Sequence, residues 1–215
     1  MIKELKLQFP GLKNAILSSV TNIEVKLTDY LKSDFEFFQV LTHKTELPIV
    51  NMYKSKETLG YDRIAAVTGA SCLFPGCFLM VIDAGTALTF DFIDEKKVYA
   101  GGTISLGLAM RFIALNKLTE KLPLVTGKEN FEFTGSTTEE SIISGVQNGM
   151  IFEIEKYTEV ITNMHPGCKI VLTGGDAKFL AKIMKKSIFV EPNLVFYGLS
   201  GILDYNIELL KKQAK

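Results

Sequence analysis

Two apolar rhythms run along this chain, one with helical spacing and one of short continuous or alternating runs. Residues 2–9 read as an amphipathic helix stopped by Pro10-Gly11. Residues 14–20 read as a buried strand and 26–33 as a second helix. Short apolar runs follow at Phe37–Leu41 and Pro48–Tyr53, and a helix over about 58–73 closes before Pro75-Gly76. The middle of the chain carries the β signals. Phe78–Asp83 is a continuous apolar run ending in an acid, as a central strand does. Leu88–Ile93 and Val98–Ile104 follow as a hairpin turned by Asp94-Glu95-Lys96-Lys97. A helix is predicted from Gly107 to Leu118, a polar loop over 127–137, and a long helix from Thr138. Glu139 and Glu140 sit in the first turn of that helix, where they complement its dipole. Lys169–Thr173 and Phe189–Val190 read as strands, Ala177–Met184 and Leu199–Lys212 as helices.

Strands alternating with helices, interrupted by one antiparallel hairpin, predict an α/β protein with a mixed sheet. The natural seam falls near residue 77. It divides a first lobe, 1–77, from a second, 78–198, with 199–215 a final helix expected to pack back on the first.

Composition acts mainly by exclusion. Hydrophobic residues at 47% and charged residues at 22% are ordinary for a globular chain with a core. Lys plus Arg and Asp plus Glu are each 24, so the basic surplus of a nucleic-acid binder is missing. No stretch approaches the ~20 apolar residues that cross a bilayer, and Met1–Leu5 lacks the apolar run of a secretion signal. Neither nucleic acid nor membrane is expected as a partner. Cys72, Cys77 and Cys168 have no metal-ligand spacing and read as reduced, mostly buried thiols of a cytoplasmic protein. His43 and His165 stand beside no second ligand and read as surface residues.

Four motifs carry candidate chemistry. Val81-Ile82-Asp83-Ala84-Gly85-Thr86-Ala87-Leu88-Thr89-Phe90-Asp91 ends a strand in an acid. Gly85 and the Thr86 and Thr89 hydroxyls suit a phosphate and its metal ion, or else a polar β-turn. In Thr58-Leu59-Gly60-Tyr61-Asp62-Arg63, Asp62 could reach a hydroxyl and Arg63 a carboxylate or phosphate, or the pair could simply open a helix. Thr173-Gly174-Gly175-Asp176 permits a flat ligand to approach, or forms an ordinary strand-to-helix turn with Asp176 as cap. Gly101-Gly102 inside a strand implies close packing, at a ligand or a subunit interface.

Taken in order, these motifs resemble the type III pantothenate kinase family. Glu57–Arg63, Asp83–Ala87, Gly101–Ile104, Leu118–Pro123, Thr138 with Ser144-Gly145, Thr173–Ala177 and Pro192–Val195 with Gly198-Leu199 all take part, from about residue 14 to the end. The resemblance implies an actin-like (ribonuclease H-like) two-lobed ATPase fold and a homodimer. It implies phosphorylation of pantothenate by ATP, the first step of coenzyme A synthesis, with Mg²⁺ and a monovalent cation, K⁺ or NH₄⁺. By position, Asp62 matches the general base. Tyr53, Gly60, Tyr61, Arg63 and Thr138 match the pantothenate site. Gly85, Thr86, Gly174 and Gly175 match the ATP site, and Asp83 the monovalent-cation ligand.

The sequence departs from the family at three points. Tyr61 stands where a small residue is usual, which implies a narrowed or rebuilt acceptor pocket. Leu106 stands where Pro is usual. The Asp-x-Gly-Asn-Thr phosphate loop that opens the family does not occur in the 215 residues, so a truncated first lobe is expected, with the strand at 14–20 left open or covered by other chain. Alternatives to the kinase reading are an inactive relative acting as a binding or transcription-accessory protein, or a kinase of another small acceptor.

Overall fold

The apolar runs between 79 and 106 become three long strands, and the rest of the chain is laid against them. The computed structural model describes residues 2–19, 24–184 and 188–213. In chain order the elements are α1 (Ile2–Gln8), β1 (Asn14–Leu17), α2 (Val25–Asp34), β2 (Phe37–Val40), β3 (Val50–Asn51), α3 (Tyr61–Leu73), β4 (Leu79–Ala84), β5 (Ala87–Ile93) and β6 (Val98–Leu106). Then come α4 (Leu108–Lys117), α5 (Thr138–Met164), β7 (Lys169–Thr173), α6 (Ala177–Ile183), β8 (Phe189–Val190) and α7 (Leu194–Gln213).

Six strands form one sheet in the order β3-β6-β5-β4-β7-β8. β5 runs antiparallel to both its neighbours, whereas β7 and β8 run parallel to β4. The five strands from β6 to β8 thus have the 3-2-1-4-5 order, with the second strand reversed, of a ribonuclease H-like sheet. This is the mixed α/β architecture expected of an actin-like ATPase fold. β1 and β2 pair in parallel as a separate two-stranded sheet.

The alternation within β4 sorts its side chains to two faces. Met80, Ile82 and Ala84 join Leu88 and Phe90 in a core roofed by α4, α5 and α6. Leu79 and Val81 face the other way, onto α3 and α7, with Ile93 and Tyr99. Asp83 continues that second row, so the acid that ends β4 belongs to the α3–α7 face. Burial on both faces explains why β4 is a continuous apolar run rather than an alternating one.

Several expectations are refined. The predicted strand 14–20 ends at Leu17, and Val20 lies outside the described residues. The helix expected over 58–73 is a short 3-10 turn, Lys56–Thr58, followed by α3, because Gly60 takes extended geometry just ahead of Tyr61. The last helix begins at Leu194, not Leu199. Gly198 does not interrupt it: a Cβ there would overlap the Ala65 carbonyl, and one at Gly69 would overlap the Leu194 carbonyl, so these glycines let α7 and α3 cross backbone to backbone. Asp176 makes no side-chain cap. Cys72 is exposed, and Cys77 and Cys168 are only half-buried; all three are free. His165 is half-buried and stacks on Phe78 at 3.7 Å between ring centroids, because the C-terminal end of α5 brings it over the start of β4.

α5 starts on a capping box. Thr137 Oγ1 accepts from the Glu140 amide at 3.2 Å, and Glu140 accepts in return from the Thr137 amide at 3.1 Å. Those bonds and the Ser136 hydroxyl hold the Glu140 carboxyl below its usual range, with the Ser136 hydroxyl contributing most. Buried Gln147 exchanges two hydrogen bonds with the Lys128 backbone and ties the 127–137 loop to this helix. Among the described residues no helix is long and apolar enough to cross a membrane.

Candidate functional site

The carboxyl ends of β4 and β7 lie side by side, Asp83 opposite Thr173. Both strands end in turns that bind to each other, the Asp176 amide donating to the Ala84 carbonyl at 2.9 Å. Gly174 sits at φ +97°, and a Cβ on it would run into the Asp83 carboxylate and the Ala84 carbonyl. The Gly-Gly turn is therefore needed to bring backbone against the acid. Beside it opens a cleft of about 470 Å³ lined by Asp83, Thr173, Gly174, Gly175, Lys178 and Phe196 among others. Gly85 and Thr86 form the β4–β5 turn, Thr86 exposed, with the Thr86 carbonyl accepting from Gly107 N.

Among the described residues no cationic side chain forms an ion pair with Asp83, although Lys178 lines the same cleft. Burial, then the negative charges of Asp62 and Asp91, push its carboxyl up to about 6. An acid raised in this way is relieved by a bound cation. No cluster of three or more His, Cys, Asp or Glu side chains suited to a metal occurs among the described residues. Mg²⁺ held through one carboxylate and the phosphates of a nucleotide needs no such cluster, so the donor set fits that ion.

Asp62 opens α3, exposed, its Oδ1 accepting from the Arg63 amide at 2.8 Å. Gly60 leaves room for that carboxylate, since a Cβ there would strike Oδ1. Arg63 turns the other way, into the sheet. Its Nε donates to both oxygens of Asp91 at 3.0 and 3.1 Å, and its Nη2 to Oδ1 at 2.6 Å. The Tyr99 hydroxyl and the Thr89 hydroxyl donate to the same carboxylate at 2.7 and 3.1 Å. Burial alone lowers the Arg63 pKa, but the hydrogen bonds and charge of Asp91 outweigh it, and the guanidinium ends above its ordinary value. Burial, and then Asp91, push the Tyr99 phenol up. The Tyr53 ring lies under the Arg63 guanidinium at 5.6 Å and stacks near Tyr99.

The Gly101-Gly102 pair now has a cause. Gly101 is at φ +118°, and a Cβ on it would sit 3.2 Å from the Tyr53 ring; one on Gly102 would sit 2.7 Å from Asp91 Oδ1. Gly101 makes space for the Tyr53 ring, and Gly102 for the Phe90 carbonyl and the Asp91 carboxylate.

The structure thus gathers Tyr53, Gly60, Asp62 and Arg63 at the start of α3, and Asp83, Gly85, Gly174 and Gly175 at the strand ends beside them. Tyr61 is half-buried at the first position of α3, packed toward the core. Thr138 is elsewhere. It lines a groove of about 890 Å³ between α4 and α5, to which none of the Asp62–Asp83 group contributes. Sequence reasoning assigned no role to Asp91, Tyr99 or Lys178. A signal for Asp91 exists: an acid flanked by Phe90 and Phe92 in a strand between strands must be buried, and a buried acid must be paired.

A ribonuclease H-like sheet in this strand order, with acids and glycine turns at its strand ends, is the actin-like class of fold. A crystal structure of a Baf-family transcriptional activator from Campylobacter jejuni shares this fold, with a TM-score of 0.59 and 23% identity over 94% of this chain and 88% of that one. The sequence profile of type III pantothenate kinase matches residues 1–160. The type III pantothenate kinase of Christiangramia forsetii is 41% identical over 204 residues, 95% of this chain and 84% of that protein. That of Cytophaga hutchinsonii is 45% identical over 182 residues, 82% of this chain and 77% of that protein. The chain belongs to the type III pantothenate kinase family.

Proposed function

We propose that this chain transfers the γ-phosphoryl group of ATP to pantothenate, giving 4'-phosphopantothenate and ADP in the first step of coenzyme A synthesis. The observation that carries the reading is an exposed carboxylate, Asp62, whose charge reaches a half-buried, cation-seeking one, Asp83, at the end of β4. Phosphoryl transfer needs positioned phosphates and an oriented hydroxyl more than covalent chemistry. Asp62 accepts the proton of the pantothenate hydroxyl as its oxygen bonds to the γ-phosphorus and the bond to ADP breaks. Gly85, Thr86, Gly174 and Gly175 present backbone and hydroxyl donors to ATP, and Tyr53, Gly60, Tyr61 and Arg63 wall the acceptor. Asp83 would hold the cation, Mg²⁺ or the monovalent K⁺ or NH₄⁺, which when bound neutralises phosphate charge.

Thr138 enters the same reading through a homodimer. Ile104, Leu106, Met110, Ile113 and Leu118 are large apolar side chains exposed on or beside the α4–α5 groove, and a second copy would cover them. The reaction assigns the protein to the cytoplasm, where ATP is available.

The test is ADP release from Mg-ATP and K⁺, with and without pantothenate, by wild type and Asp62→Asn. Pantothenate-dependent release that Asp62→Asn lowers by about 100-fold or more supports the assignment. Equal release with and without pantothenate overturns it.

A further inference from the structure

The most enclosed charged side chain among the described residues is the Asp91 carboxylate, and the kinase reading gives it no task. Asp91 is 1% exposed. It stands on β5, whose backbone is fixed by ladders on both sides, opposite Val81 of β4 and Gly102 of β6. Five donor contacts converge on it, three from Arg63 and one each from Tyr99 and Thr89. A bare fold gains little from such an arrangement, since a well-packed apolar cluster of equal size is often as stable as a buried ion pair. The network does something an apolar cluster cannot, because it fixes the direction of one guanidinium.

We propose that Asp91 is a positioning residue for the acceptor side of the site, acting on Asp62 through Arg63. Arg63 is the next residue after Asp62, and its amide holds Asp62 Oδ1. Its guanidinium ties the first turn of α3 to the rigid sheet by directional hydrogen bonds, beside the non-directional apolar packing of Ile64. At the head of that turn the Ile64 amide donates a long bond to the Gly60 carbonyl, at 3.3 Å. The gripped guanidinium lies on the Tyr53 ring, so Tyr53 takes its place from the same anchor. Tyr99 and Thr89 hold the carboxylate by donors that leave Arg63 a single preferred approach. Asp91 touches neither the acceptor nor ATP. It sets where the base and one wall of the acceptor pocket stand.

The proposal rests on the kinase reading for its catalytic consequence but not for its structural one, so two readouts are used on the full chain. In the kinetic arm, Asp91→Asn lowers kcat with pantothenate by about 100-fold, the cost of a misplaced catalytic group, while KM for ATP is unchanged. Placed in an Asp62→Asn background, Asp91→Asn has little further effect, since both changes remove the same contribution. Additive losses would mean a merely structural role and overturn the proposal. In the second arm, hydrogen exchange at the Ile64 amide rises in Asp91→Asn while amides of β7 keep their protection. Unchanged exchange at Ile64 overturns the proposal whatever the protein phosphorylates. If wild type lacks pantothenate kinase activity, the functional reading fails and this arm alone decides. Tyr99→Phe, which removes one donor and keeps the ion pair, serves where Asp91→Asn does not fold; it lowers kcat several-fold and raises Ile64 exchange, and no change in either overturns the proposal.

Discussion

The two sheets of this protein are built on opposite terms. β4 and β5 lie between helices on both faces, and Met80, Ile82, Leu88 and Phe90 are fully enclosed. β1 and β2 form a two-stranded parallel pair in which every residue is half-buried, near helices that leave Leu7, Phe9 and Val25 exposed. Apart from Thr138 on α5, the candidate chemistry sits on or beside the six-stranded sheet and on α3, which packs against it. Catalytic side chains need a backbone that does not yield, and a doubly covered sheet supplies one. A half-covered pair of strands supplies a surface instead. The two regions are strapped together by α7, which crosses α3 along its first half and contacts β1 beyond, where Asn206 bonds to Gln39 and to the Glu46 carbonyl.

The strap offers the largest way to break the comparison. Gly198→Leu forces a side chain into the Ala65 backbone and separates α7 from α3. A loss above about 4 kcal/mol is expected, read as the disappearance of a cooperative denaturant transition, with both regions failing together. A truncation in each sheet then sharpens the contrast. Ile82→Ala in β4 should cost about 3–4 kcal/mol, and Ile16→Ala in β1, which is already partly in water, about 1 kcal/mol, both from shifts in chemical-denaturation midpoint.

Asp83 gives a smaller effect of opposite sign. Its carboxyl is raised from an ordinary 3.8 to about 6 by burial and by its acidic neighbours. A carboxyl raised by folding binds its proton more tightly when folded, so its ionisation withdraws stability as pH climbs from 3.8 to about 6. Asp83→Asn removes that loss and should stabilise the protein by about 2 kcal/mol near neutral pH, with no gain below 3.8, while turnover disappears. Equal stability of the two proteins across this window would mean that Asp83 is not strained. Thr137→Ala is the mildest change. Loss of the cap should cost about 1 kcal/mol, seen as a small lowering of the melting temperature, with the sheet undisturbed.

What was legible in the sequence follows the same division. The strands from Leu79 to Leu106 announce themselves because burial on both faces demands continuous apolar runs, and Asp94 marks the turn with bonds from the Lys96 and Val98 amides. Asp62, Asp83 and the Gly174-Gly175 turn were legible as motifs because each is a local pattern. Asp91 was not, because its partner Arg63 is 28 residues away and pairing across a fold leaves no mark at either end. The start of α7 was misplaced because Gly198 reads as a helix breaker, when its cause is a neighbouring helix rather than its own backbone.

That crossing of Gly69 with Gly198 also orders events in time. α3 carries Asp62, the proposed base, but the surface it must rest on includes α7. During synthesis the first residues of the site leave the ribosome early and then wait, since a contact between distant parts of the chain cannot close before both exist. Until α7 arrives, the face of α3 bearing Ala65 and Gly69 stays uncovered. A chain stopped short of residue 194 would carry every candidate site residue, yet leave α3 without the surface it rests on.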